Sequence, residues 1–121
     1  MTDLLSRLQA ASEGSAELDR EVLLACGWQF RLVDEMLVTE YRWFDAAGHE
    51  HVGSTPRPTR SLDDLRSMVL ALNMGWRIVE GGAMQSWVTV IDPSGEEHHG
   101  RHRDTILAAV LAFLRAGEGG R

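Results

Sequence analysis

The chain has 121 residues, a formal charge of −6, 44% apolar residues and 25% charged ones. That fits one globular domain able to bury roughly two thirds of its unfolded surface without staples, and it excludes a disordered tract. The acidic balance argues against a general nucleic-acid binder, although Arg57, Arg60, Arg101 and Arg103 could form a local basic patch. Cys26 is the single cysteine, which excludes an internal disulfide and a cysteine-based zinc site within one chain. The start carries no apolar secretory core, and the longest apolar run, Ala108 to Leu114, is far too short for a bilayer, so the expected compartment is the cytoplasm.

In chain order, Leu4, Leu5 and Leu8 share one face of a short helix over 2–11, broken at Ser12-Glu13-Gly14-Ser15. Ser15 caps a second helix with Glu17 and Asp19 in its first turn, Leu18, Val22 and Ala25 on its apolar face and Gly27 after its end. The period then drops to two: Trp28, Phe30 and Leu32 predict one strand and Met36 to Phe44 a second. Asp45-Ala46-Ala47-Gly48 is a turn, and His49 to Gly53 a returning third strand, stopped by Pro56 and Pro58. Ser61-Leu62-Asp63-Asp64 opens the next helix, which Gly75 ends. Strands follow at Trp76–Glu80, Gln85–Ile91 and, beyond the turn Asp92-Pro93-Ser94-Gly95, Glu96–Gly100. Asp104 caps a last helix, Thr105–Ala116, whose wide apolar surface predicts burial against more than one element, with Gly117–Arg121 as a frayed tail.

The pattern nearly repeats. Gly27-Trp28 and Gly75-Trp76 are offset by 48 residues, and the turns from Asp45 to His51 and from Asp92 to His98 match at four of seven positions with an offset of 47. Half-repeats over 15–58 and 59–103 with a closing helix over 104–116 give a single α+β domain, residues 1–121: a layered sandwich of helices and antiparallel strands in the order α-α-βββ-α-βββ-α, with a pseudo-two-fold.

The residues Leu4-Leu5-Ser6-Arg7-Leu8-Gln9-Ala10-Ala11, then Glu17-Leu18-Asp19 leading to Gly27-Trp28, with Pro58-Thr59-Arg60-Ser61-Leu62-Asp63 before a helix, Gly75-Trp76 after it and an Ala/Leu-rich end near Leu114-Arg115-Ala116, resemble the phage ABA-sandwich domain of small phage and prophage proteins. These motifs are caps, turns and core positions spread over nearly the whole chain. The resemblance therefore implies a fold and carries no catalytic residues; Met36 to Val52 and the second, His-rich hairpin depart from it.

The strongest chemical signal is histidine. His49 and His51 fall on one side of a predicted strand, while His98, His99 and His102 follow the matching turn, so packed halves could bring imidazoles together with Glu50 or Glu97 around a zinc-like ion. No HExxH or comparable spacing is present, and imidazoles beside acids near hairpin tips are ordinary solvated residues, so the sequence assigns no metal, cofactor or catalytic residue. Cys26 reads as a small apolar filler at a helix end, where the dipole disfavours a thiolate. Neither Asp63-Asp64 nor Glu96-Glu97 reads as an acid/base pair, no serine has an elbow context, and Gly81-Gly82 is too short for a phosphate loop. Tyr41, Trp43 and Trp87 could stack on bases but fit better as core.

Three roles follow. The first is a non-catalytic phage-type accessory protein that binds a host or phage protein, for instance inhibiting a host defence complex in an anti-CRISPR-like way; this leans on the resemblance. The second is a self-associating protein using the last helix with Met68 and Met74 to form a homodimer. The third is a metal-binding protein or enzyme on the histidine hairpins. Direct nucleic-acid or membrane binding is not expected.

Overall fold

The computed structural model describes residues 2–72, 74–81 and 85–119 of an α+β protein. Its elements are α1 (Thr2–Ala10), α2 (Ala16–Ala25), β1 (Gln29–Glu35), β2 (Val38–Phe44), α3 (Leu62–Ala71), β3 (Gly75–Gly81), β4 (Gln85–Ile91), β5 (Glu97–His102) and α4 (Thr105–Gly119). Two antiparallel sheets form: a ribbon β1-β2 and a three-stranded sheet β3-β4-β5. No helix among the described residues is long and apolar enough to cross a membrane.

The helix boundaries follow from local chemistry. The Ser15 side chain accepts a hydrogen bond from the Leu18 N–H, and Ser61 does the same for Asp64. Asp104 accepts from the N–H groups of Ile106 (2.9 Å) and Leu107 (3.1 Å) at the start of α4. Gly27, at φ +90°, closes α2 while Gly27 N–H bonds Leu24 O and Trp28 N–H bonds Leu23 O, the paired bonds of a Schellman end. Gly75 does not perform that task for α3. The helix caps at Leu72, Met74 N–H reaches back to Val69 O, and Gly75 is already the first residue of β3, so the two Gly-Trp pairs are not structural counterparts.

Helix α4 is the centre of the molecule. Residues Leu107 to Ala112 are wholly buried, with β4 and β5 against one side and α1 and α3 against the other. Val88 and Val90 of β4 and Gly100 of β5 meet α4; a Cβ at Gly100 would lie 1.9 Å from the Ala108 carbonyl oxygen. The expected burial of this helix on several sides is therefore realised within the chain. So is that of Met68 and Met74, and the apolar surface assigned to a homodimer is already covered. The helix runs on to Gly119 instead of fraying after Ala116, while positions 120–121 lie outside the described residues, as do 82–84 in the predicted glycine break.

The two Asp-x-x-Gly turns match bond for bond. In each, the Gly N–H bonds the Asp carbonyl at 2.9 Å, the Asp Oδ1 accepts from N–H groups two and four residues on, and the glycine has φ +90° or +91°. Beyond the turns the halves diverge. Residues 49–53 form no strand, making one bridge, Phe44↔Glu50, through the bonds Asp45 N–H to His49 O and His51 N–H to Trp43 O, before His51 turns to the Ser54 carbonyl. Helix α4 covers β5 and supports a full return strand; the first half has no such helix, and the observed order is α-α-ββ-α-βββ-α.

Candidate functional site

The histidines are held apart, each by its own neighbours. His49 is exposed, 3.9 Å from Asp45; His51 bonds the Ser54 carbonyl through Nε2 at 2.8 Å, its ring 5.4 Å from that of Trp28. His99 bonds Thr89 (3.0 Å) on the outer face of the sheet, and buried His102 accepts from the Asp104 N–H (2.8 Å) just before α4. His98 meets Asp92 Oδ2 at 2.8 Å. The single group of three metal-type ligands among the described residues is Asp92, Glu96 and His98, within 4.8 Å of one another, so the two hairpins supply no shared centre there. Asp92 Oδ1 already accepts from the Ser94 and Glu96 N–H groups and from the Ser94 hydroxyl, and a cation would have to displace His98 from Oδ2. Because Asp45 builds the same turn, the aspartate's first task here is structural.

That task gives a pH signature. Bonds from the Ser94 hydroxyl and His98, and then from the backbone N–H groups, hold the Asp92 carboxyl well below its ordinary range despite burial. A lowered folded-state value means stability present above the unfolded value and lost as pH falls through the carboxylate range, from about pH 5 downward. In thermal melts of wild type and Asp92→Asn, the gap in Tm is expected to be widest at pH 7 and to close toward pH 2. A gap independent of pH would show that the charge is not what the turn holds.

The other candidates are committed locally. Asp64 accepts from the Arg57 N–H, Glu97 pairs with Arg77, and Ser67, Ser86 and Ser94 bond Asp63, Thr105 and Asp92. Half-buried Cys26 caps α2 against the core.

A different surface stands out, one that sequence reasoning had placed in the core. In the ribbon, Phe30 pairs with Trp43 and Leu32 with Tyr41, putting all four on one face. Only Trp43 is buried; Tyr41, 61% exposed, stacks on Phe30 with ring centroids 5.0 Å apart. Trp87, on the other sheet, is also exposed, under Arg101. Beyond the ribbon's aromatic face, Met36 and Leu37 are fully exposed and form its two-residue turn rather than the start of β2. Met36 has φ +52°, a left-handed conformation that costs a non-glycine residue about 1–2 kcal/mol. A groove of about 550 Å³ runs beside this face past Tyr41, Trp43, His51 and Val52. A cleft of about 350 Å³ adjoins it across Phe30 and Trp43, edged by Arg20, Arg57 and Arg60, so two of the predicted basic residues do meet. Compared with protein-family models, curated proteins and solved structures, the chain shows no match.

Proposed function

We propose that the chain is a non-catalytic binding protein whose β1-β2 ribbon docks on another protein. The observation that carries this is the tip: two large apolar side chains, Met36 and Leu37, stand fully in solvent on a turn whose backbone disfavours the methionine. Neither stability nor turn chemistry calls for them, since only Met36 of the pair has positive φ and Gly-Asn would suit such a turn better, and strain of this kind persists where a function needs it. Past the hydrogen-bonded Asp34–Thr39 pair, the exposed Phe30, Leu32 and Tyr41 add a second apolar patch on one face of the ribbon, of the sort that anchors a partner. The acidic charge favours a basic partner. Occupying a host protein in the bacterial cytoplasm, such as a defence complex, is the form of this role that the likeness to small phage proteins suggests.

Replacing Met36-Leu37 by Gly-Asn, which puts glycine at the positive-φ position, separates binding from folding. The variant is expected to melt at or above the wild-type Tm, by up to about 1 kcal/mol of added stability. Immobilised beside wild type in a bacterial lysate, it should lose at least about tenfold of a protein that wild type retains, as removal of anchoring side chains does. Equal recovery on both, or nothing retained above bare resin, would overturn the reading.

A further inference from the structure

The sheet edges are treated unequally. On β5 the outward carbonyls are occupied: Gln9 Nε2 donates to Arg101 O (3.1 Å) and Arg115 Nη1 to His99 O (2.7 Å). The base of β2 is covered by the returning chain through the Phe44↔Glu50 bridge and the His51 N–H to Trp43 O bond. Strand β1 has β2 on one side and, among the described residues, nothing bonded to its main chain on the other. The two-residue turn closes on Glu35↔Val38, so the backbone groups of Gln29, Arg31, Val33 and Glu35 face β2, and those of Phe30, Leu32 and Asp34 face outward. The strand contains no proline, glycine or lysine to blunt this edge. A two-stranded ribbon is marginal by itself, and helices give this one little support.

The charges on β1 match a copy of themselves. An antiparallel partner related by a two-fold axis at Val33 sets Arg31 opposite Glu35 twice and Val33 opposite itself. An axis at Arg31 would set arginine against arginine. Arg31 lies on the Phe44 ring, 3.8 Å from its centroid, with no carboxylate in ion-pair range among the described residues, leaving its charge for such a pairing.

We propose that two copies of the chain join along their β1 edges, centred on Val33, into one four-stranded antiparallel sheet. The contact is isologous, satisfies both open edges at once with about four main-chain hydrogen bonds, and places the two aromatic faces side by side. It goes beyond the binding role, because its register is set by the Arg31–Glu35 and Val33 pairs; Met36 comes opposite the partner's Phe30 only at the margin of the contact.

Light scattering on the full chain over a concentration series tests this. A mass rising to twice 13.5 kDa is expected. Arg31→Glu and Glu35→Arg, each alone, should raise the dimer dissociation constant about tenfold, because two attractive pairs become repulsive. The double reversal should restore it; because Glu35 also lies 3.5 Å from Arg42 of its own ribbon, thermal melts of each variant separate pairing from any effect on the fold of the ribbon. The Met36-Leu37→Gly-Asn variant should remain dimeric even where it loses a foreign partner. A wild-type chain that stays monomeric at high concentration, a dimer indifferent to both single reversals, or a double reversal that fails to restore it would each overturn the proposal.

Discussion

Replacing Asp19 by alanine is expected to cost about 3–5 kcal/mol of folding stability, the range for stripping one partner from a buried charged contact. Asp19 is almost wholly buried, and its oxygens tie α2 to the segment before α3. Oδ1 accepts from the Thr59 N–H at 2.7 Å and from the Thr59 hydroxyl at 2.5 Å, while Oδ2 accepts from Arg60 Nε at 2.7 Å. Thr59 is itself buried, and its hydroxyl also reaches the Ser15 N–H and carbonyl at 3.2 Å, so removing the carboxylate strips the buried Thr59 N–H of its acceptor and the hydroxyl of its shortest bond. The fit is close: a Cβ on Gly14 would sit 1.9 Å from the Thr59 carbonyl oxygen, so the clasp cannot slide to a substitute. Asp19→Asn keeps the acceptor that serves Thr59 and turns an N–H donor toward Arg60, so it should cost less than alanine. Arg60→Ala should cost least, because that guanidinium is partly solvated. Urea titrations of the three variants at neutral pH would show the order; a loss below about 1 kcal/mol for Asp19→Ala would contradict the clasp.

This clasp shows where sequence reading stops. Asp19 stands in the first turn of α2, where any acid is favourable, so periodicity and helix-dipole arguments give it a sufficient role and no cause to look 40 residues ahead to Thr59. Features of short range were legible: the caps Ser15, Ser61 and Asp104, the helix end at Gly27, both Asp-x-x-Gly turns and the limits of β4. Features that depend on what lies across the fold were not. The strand expected at 49–53 has suitable residues but meets β2 at the single Phe44↔Glu50 bridge, and Gly75 reads as a helix stop because a strand beginning on glycine gives the same signal. The turn at Met36-Leu37 carries none of the residues that announce a hairpin, and so it was absorbed into β2. Tyr41 and Trp87 were assigned to the core on ring size alone, but a ring shows its size in the sequence and not the side of the sheet it faces.

Gly100→Ala is expected to lower stability by about 3 kcal/mol or more, at the upper end for overpacking, although it adds a single methyl group. The atoms that Cβ would strike are main chain: Ala108 O at 1.9 Å and Ala112 N at 2.7 Å. No rotamer change relieves such contacts. Either β5 bulges, breaking its ladder with β4, or α4 lifts from the sheet and uncovers Val88, Val90 and Leu107, all wholly buried. Two other glycines calibrate the result. Gly95→Ala meets open space but must hold φ +91°, a cost of about 1 kcal/mol, and Gly75→Ala meets nothing and should be near neutral. The ranking Gly100 far above Gly95 above Gly75, read from thermal or urea unfolding, tests whether α4 rests directly on the β5 backbone. A Gly100→Ala protein within about 1 kcal/mol of wild type would mean that the helix stands off the sheet. If the ranking holds, the molecule divides physically in two. Where α4 crosses Gly100 it leaves no space for an added carbon, whereas at Met36 and Leu37 side chains can be exchanged without touching that packing, the freedom a binding surface needs.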